Sequence, residues 1–271
     1  MINKTNFICI NVKTSKTRKE HMTTVAKKYE IPLRFFDAIT PKTIATVPNR
    51  YSKRRTKFWW GRELMPTEKA CSLSHIKIWR DFLNSDFEYL IVFEDDLDIE
   101  SDFMEVVRAT LALPIVPDFI KFSGQHERPS KWVCQLGVKN YALYNNAVGP
   151  LDTICYLLTK KGAVSLEKYC TSMHSSIDVL MDRTYSHKVP CYTIRPYPTR
   201  QNSGLLSDIG DRIKYDSNQL GRIITRLLRA YSSLKKRLWR IRWSKAVDPV
   251  KEALEKKLIL FPIIGNPRRG Q

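Results

Sequence analysis

The sequence predicts an α/β protein, a mixed, mostly parallel sheet flanked by helices, with a basic helical C-terminal tail. Three observations carry that prediction. Apolar runs of strand length alternate with stretches of helical periodicity through the first half of the chain. One run, residues 89–93 (YLIVF), reads as a strand more clearly than any other segment. The 271 residues are 43% hydrophobic and 27% charged, which suits one domain with a packed core and excludes disorder throughout.

Residues 7–12 (FICINV) read as a buried strand, and residues 16–29 as a helix with Ser15 at its N-cap. Residues 33–38 form a second short strand. Pro66-Thr67 opens a helix through residue 82, since proline suits a first helical turn. The run 89–93 is the clearest strand; residues 103–113 follow as helix and 119–122 as strand. Residues 132–138 and 141–144 suggest a hairpin, and residues 153–159 a strand leading into a helix over 160–169. Ser175-Ser176 cap a short helix beginning near Asp178, and residues 192–195 make the last strand.

The charge is lopsided. Lys and Arg number 46 against 27 Asp and Glu, a net of +19, which calls for an anionic partner: nucleic acid, a membrane surface or a phosphate-bearing substrate. No apolar run approaches the roughly 20 residues of a membrane span, and no secretory h-region is visible at the N-terminus. The six cysteines include no CxxC pair, which predicts buried free thiols in a reducing cytosol and offers no zinc spacing.

Two segments hold much of the excess charge. Residues 50–57 (RYSKRRTK) read as a basic loop. Residues 212–245 hold eleven basic residues and one acidic one, Asp216. Leu220, Ile224, Leu227, Tyr231, Leu234, Leu238 and Ile241 recur there at alternating steps of four and three, the stripe of an amphipathic helix. The chain therefore divides into residues 1–211 and a helical extension, 212–271. Three readings of the extension stay open: an anchor on an anionic membrane, at about 1 kcal/mol per basic residue; a helix packed on the domain by its apolar stripe; or a nucleic-acid surface. Nucleic acid is the least favoured, because no recognised motif accompanies the basic residues.

Glu94-Asp95-Asp96 directly follow the strand 89–93, with Asp98 two residues on. In open α/β sheets ligands bind beyond the carboxyl ends of strands. Clustered carboxylates repel one another unless a cation neutralises them, and hard Mn²⁺ or Mg²⁺ shared with substrate phosphates fits best. The alternative is a solvated acidic turn.

With these residues in view, the chain resembles glycosyltransferase family 25, the lipooligosaccharide galactosyltransferase family. Ile10-Asn11-Val12 with Ser15 and Arg18 is similar to the family's first strand and the Ser and Arg after it. Phe36-Asp37-Ala38-Ile39 is similar to its second. Glu68-Lys69-Ala70-Cys71-Ser72-Leu73-Ser74-His75 with Trp79 resembles its Glu-x-Gly-Cys-x-x-Ser-His-x-x-x-Trp helix, and Val92 to Asp96 its acidic motif. Tyr156, Gly162-Ala163, Asp178, Pro196, Gln201 and Ser207-Asp208-Ile209 follow its C-terminal pattern. Ala70 stands for the usual Gly and Val12 for Leu, both mild departures. The resemblance spans residues 7 to 209.

The resemblance implies a glycosyltransferase-A type fold and inverting transfer of a hexose, galactose foremost, from a UDP-sugar to a lipooligosaccharide core acceptor. It implies a divalent metal, Mn²⁺ or Mg²⁺, on Asp96 and Asp95, with Asp208 as a late-chain ligand; Asp96-Leu97-Asp98 also reads as Asp-x-Asp. Asp178 is the general-base candidate, or merely favours the start of its helix. Asn11, Arg18, Glu94, Glu68, Ser74, His75, Gln201 and Ser207 are donor-site candidates. Glu94 would reach the ribose, Arg18 is either a phosphate contact or an exposed helix charge, and His75 either meets ligand or packs on Trp79. Arg54, Arg55, Arg226, Arg229, Lys236, Arg237 and Trp239 are expected to meet a phosphorylated acceptor or the cytoplasmic face of a Gram-negative-type inner membrane. The rival reading is a basic nucleic-acid- or membrane-binding module without catalysis.

Overall fold

The computed structural model describes residues 1–202 and 219–260. Ser207, Asp208 and the expected boundary at 211/212 lie outside the described residues.

The chain begins with a βαβ unit: β1 (Thr5–Asn11), α1 (Lys16–Lys28) and β2 (Leu33–Asp37). A short helix α2 (Lys53–Trp60) precedes the long α3 (Pro66–Leu83), which leads into β3 (Tyr89–Glu94). Then come β4 (Leu97–Ile99), α4 (Phe103–Leu111), β5 (Phe119–Lys121) and the hairpin strands β6 (Ser130–Gln135) and β7 (Ala142–Asn146). β8 (Cys155–Thr159) runs into α5 (Lys160–Cys170), followed by α6 (Ile177–Met181), α7 (Thr184–His187), β9 (Cys191–Arg195) and β10 (Thr199–Gln201). Two helices close the described chain, α8 (Gln219–Lys245) and α9 (Pro249–Leu260).

Eight strands form one sheet in the order β2-β1-β3-β8-β5-β9-β7-β6, and β10 pairs with β4 in a small second sheet. The α/β expectation holds. The parallel part is the block β2-β1-β3 together with β5-β9; β8 runs against both its neighbours, and β7 pairs antiparallel with β9 and β6.

β3 explains why its sequence has no polar alternation. Leu90 and Val92 enter a core with Leu73, Ile76 and Trp79 of α3 and Leu166 of α5. Ile91 and Phe93 point the other way, into a core with Met22 of α1 and Phe103, Val106 and Val107 of α4. A period of two with both faces covered makes every position apolar. Burying each such side chain contributes about 1.5–3 kcal/mol. At the start of α5, Thr159 caps the helix by accepting from the Gly162 N–H at 3.2 Å. A Cβ at Gly162 would lie 2.0 Å from the Asp118 carbonyl, so no larger residue fits without moving backbone.

One local expectation is corrected, and another is met in position only. The basic segment 50–57 is not a loop, because Ser52 accepts from the Arg55 N–H and starts α2, which Gly61 ends with a left-handed backbone. Ser15 stands at the N-cap of α1, but its side chain makes no capping bond.

Candidate active site

β1 and β3 are parallel neighbours in a register that sets Ile10 beside Glu94. Their carboxyl ends therefore coincide, and Asn11 of one lies against Asp95 beyond the other. After β1 the chain turns at once into α1, whose first turn carries Arg18 over the acids. Asn11 Nδ2 donates to Asp95 Oδ2 at 2.7 Å, and Arg18 Nη1 donates to Asp95 Oδ1 at 2.7 Å. Both oxygens of Asp95 are thus held. Asp96 is held on one side only: Gln201 Nε2 donates to Oδ2 at 3.3 Å and Arg18 Nη2 lies 3.8 Å from it. Asp96 Oδ1 is buried and has no hydrogen-bond partner among the described residues. A buried carboxylate oxygen left open is costly unless a ligand completes it.

α3 supplies the opposite wall. Pro66 and the carboxylate of Glu68, which accepts from the Met65 N–H at 2.8 Å, fix its first turn. Ser74 Oγ donates to the Ala70 carbonyl and accepts from the Ile39 N–H at 2.9 Å, tying the helix to the end of β2. Cys71 and His75, one turn apart, face the cavity together. His75 is fully buried; its Nδ1 meets the Tyr156 hydroxyl at 2.7 Å, to which Trp79 Nε1 also donates at 2.9 Å. His75 Nε2 has no hydrogen-bond partner among the described residues and lies 3.7 Å from Glu94 Oε1. The imidazole therefore both packs with Trp79 and faces the acids.

These walls enclose an open cavity of about 550 Å³, lined among others by Arg18, Ser74, His75, Glu94, Asp95, Asp96 and Gln201. That volume is in the range of small-molecule sites. Burial works against the charge of Glu94, but His75, Thr153 and Arg18 outweigh it and hold its pKa below the ordinary value. Asp96 moves the other way: burial first, then the charge of Glu94, raise its pKa, against the pull of Arg18. Neighbouring carboxyls with opposed shifts, beside a cation in a cleft, are the pattern of a candidate functional site.

Other expected residues fall elsewhere. Asn11 lies beneath the cavity, 3% exposed. Glu68 is not a cavity residue; its carboxylate is clamped by Arg62 Nη1 and Nη2 at 2.6 and 2.5 Å and belongs to the start of α3. Asp178 is in the first turn of α6, half-buried, and accepts from the Val179 N–H at 2.8 Å. It does not line the cavity, though its charge is felt at Cys71 in the cavity wall. Arg54 and Arg55 sit on α2, with the Arg54 guanidinium 5.7 Å from the Phe58 ring.

Trp239 does not face outward. Its Nε1 donates to the Ala147 carbonyl at 2.8 Å, and Lys188 covers its ring. Trp243 likewise donates to Asn145 Oδ1 at 3.0 Å. Arg229 reaches the Trp60 carbonyl at 3.3 Å, and Lys236 is partly buried, whereas Arg226 and Arg237 are exposed.

Thr153, Cys71 and Lys121 escaped the sequence reading. The Thr153 hydroxyl donates to Glu94 Oε1; nothing local in the sequence signals that contact. Cys71 was legible as the residue one turn before His75. Lys121 was legible as a lone charge in an apolar strand. It is fully buried and donates to Asp182 Oδ1 and to the Asp152 carbonyl. Burial pushes its pKa down, but Asp182 and Asp152 overcome this and raise it. Burial pushes the Asp152 carboxyl up to about 6.

The model for "Glycosyltransferase family 25 (LPS biosynthesis protein)" matches residues 3–181. The chain belongs to glycosyltransferase family 25. A putative glycosyltransferase of Haemophilus influenzae is 33% identical over 101 residues, 36% of this chain and 34% of that protein. The lipooligosaccharide biosynthesis protein lic2B of Haemophilus influenzae is 30% identical over 94 residues, 32% of each chain. Procollagen galactosyltransferase 1-A of Xenopus laevis is 27% identical over 172 residues, 58% of this chain and 27% of that protein. The chain thus spans about a third or less of these relatives' own length. The family-25 match covers β1 through α6, so every element that walls the cavity, except the strand bearing Gln201, lies within it.

Proposed function

We propose that this family-25 protein transfers a hexose, galactose foremost, from a UDP-sugar to a lipooligosaccharide core acceptor with inversion at the anomeric carbon. The observation that carries the reading is the cavity at the carboxyl ends of β1 and β3, with Arg18 on one side of the acids and Asp96, whose buried Oδ1 lacks a partner among the described residues, in its lining. The names of two relatives support it, one by lipooligosaccharide biosynthesis and one by galactosyl transfer.

Asp96 would hold a divalent cation, Mn²⁺ or Mg²⁺, through its open oxygen. Such an ion, once bound, neutralises charge building on the leaving diphosphate. Asp95, with both oxygens engaged, orients Arg18 rather than ligating. Cys71, His75 and Glu94 bring one donor atom each within 4.8 Å of one another, a second candidate group. Burial holds the Cys71 thiol's pKa well above its ordinary value, so it stays a neutral thiol, a poor ligand for a hard cation.

In this reading the acceptor hydroxyl attacks the anomeric carbon as the bond to the UDP oxygen breaks, and its proton passes to a general base, for which Asp178, at the start of α6 and outside the cavity lining, is the candidate. Arg18 stabilises phosphate charge as the diphosphate departs. Glu94, held ionised by His75 and Thr153, is placed to accept from donor hydroxyls. A second cavity of about 290 Å³ beside α6 is lined among others by Arg128, Arg183 and Lys236 and by Asp182, which is paired with Lys121; its excess of cations suits phosphate groups of the acceptor core. Such an acceptor puts the enzyme on the cytoplasmic side of the inner membrane.

Purified protein incubated with Mn²⁺ and each nucleotide sugar in turn, scored for nucleotide release, tests the reading. UDP-galactose is expected to turn over fastest. Turnover confined to donors other than UDP-sugars would refute it.

A further inference from the structure

α8 carries its apolar stripe on the outside. Ile223, Leu227, Tyr231, Leu234, Leu238 and Ile241 are each at least half exposed, from 50% for Ile241 to 65% for Leu227. The helix docks by its other face. Thr225 Oγ1 donates to the Lys57 carbonyl, Ser232 Oγ meets the Tyr185 hydroxyl at 3.1 Å, and Trp239 and Trp243 donate to Ala147 and Asn145. With the stripe turned away from this domain, aliphatic surface has no reason to stand in water unless something covers it.

What covers it is set by the charges on its borders. At about 100° per residue, Arg226 and Arg237 flank the stripe on one side, Lys235 and Arg242 on the other. Residues 219–247 contain no Asp or Glu. The four-three spacing would also suit a helix from a second copy. In such a pair the flanking positions of both copies are Lys and Arg, so like charges would face each other. An exposed helix face with aliphatic residues at its crest and cations along both rims fits a surface that is apolar beneath and anionic at its boundary. We infer that α8 docks this protein on an anionic lipid bilayer, Leu227, Leu234 and Leu238 entering the acyl boundary and Arg226, Lys235, Arg237 and Arg242 meeting lipid phosphates. This role is independent of the donor chemistry. Among the described residues no helix is long and apolar enough to cross a membrane.

The test is co-sedimentation of the full chain with vesicles of phosphatidylcholine alone and of phosphatidylcholine with phosphatidylglycerol, at low and high salt. Leu234→Glu with Leu238→Glu is compared after circular dichroism has shown it folded; both positions are exposed, so the fold should tolerate them. The wild type is expected on the anionic vesicles only, less so at high salt, and the variant at least about tenfold weaker. UDP release with a water-soluble acceptor, read in parallel, should be equal in the two proteins, which separates this role from catalysis. Equal binding to neutral vesicles, undiminished binding by the variant, or a lipid-free dimer that the variant abolishes would each overturn the inference.

Discussion

The cavity and α8 are built on opposite principles. At the cavity the polar groups point inward and the apolar residues of β1, β3 and α3 form the frame. On α8 the polar contacts and two tryptophan N–H groups face the domain, while the aliphatic stripe faces out. In these two regions, unlike the core, polarity does not tell inside from outside. In each region the surface with the inverted pattern is the one proposed to bind.

The sharpest way to break the comparison is at the acids. Asp96→Asn should lower UDP-sugar turnover by at least about 10³-fold while thermal unfolding shifts little, because only the open oxygen is lost to function. Asp178→Asn should lower transfer by about 10²-fold or more, read as acceptor-dependent UDP release. If the Asp96 variant turns over at the wild-type rate, the cavity is not the site of chemistry; if the Asp178 variant does, Asp178 is not the base.

Stability separates the two faces of α8. Trp239→Ala removes a bond to the Ala147 carbonyl and a ring packed under Lys188, and should cost about 2–3 kcal/mol in urea unfolding. Leu234→Ala on the outer stripe should change stability by no more than about 0.5 kcal/mol. A packed stripe would reverse that order.

A pH dependence follows from His187, which is buried beside the α7–β9 turn. Its Nδ1 accepts from the Val189 N–H, so Nε2 donates to the Met181 carbonyl at 2.9 Å. Burial lowers its pKa from 6.5 to about 4. Between these values the unfolded chain binds the proton and the folded chain does not. Stability is therefore full above pH 6.5 and falls as pH drops toward about 4. Unfolding midpoints should decline through that window, and His187→Gln should flatten the decline even if it lowers the starting value.

Most of the frame was legible because burial writes itself into period and composition: β3 could not be other than a strand covered on both faces. The acidic cluster was legible because carboxylates directly after such a strand have few other reasons to be there. What was not legible came from partners distant in sequence. Nothing near residue 94 announces that Thr153 donates to Glu94, and nothing near residue 68 announces the Arg62 clamp. The stripe of α8 was read correctly as amphipathic, but periodicity names a face without saying which way it turns. Hydrogen bonds from Thr225, Ser232 and the two tryptophans decided the direction. The segment 50–57 was misread as loop because its charge hid a Ser52 cap.

Calorimetric titration of UDP into the protein, with and without Mn²⁺, against Asp96→Asn, tests the central claim most directly. UDP binding is expected to be strong only with Mn²⁺ in the wild type and to lose its metal dependence in the variant. Equal UDP binding with and without metal, or a variant that still responds to Mn²⁺ like the wild type, would contradict it.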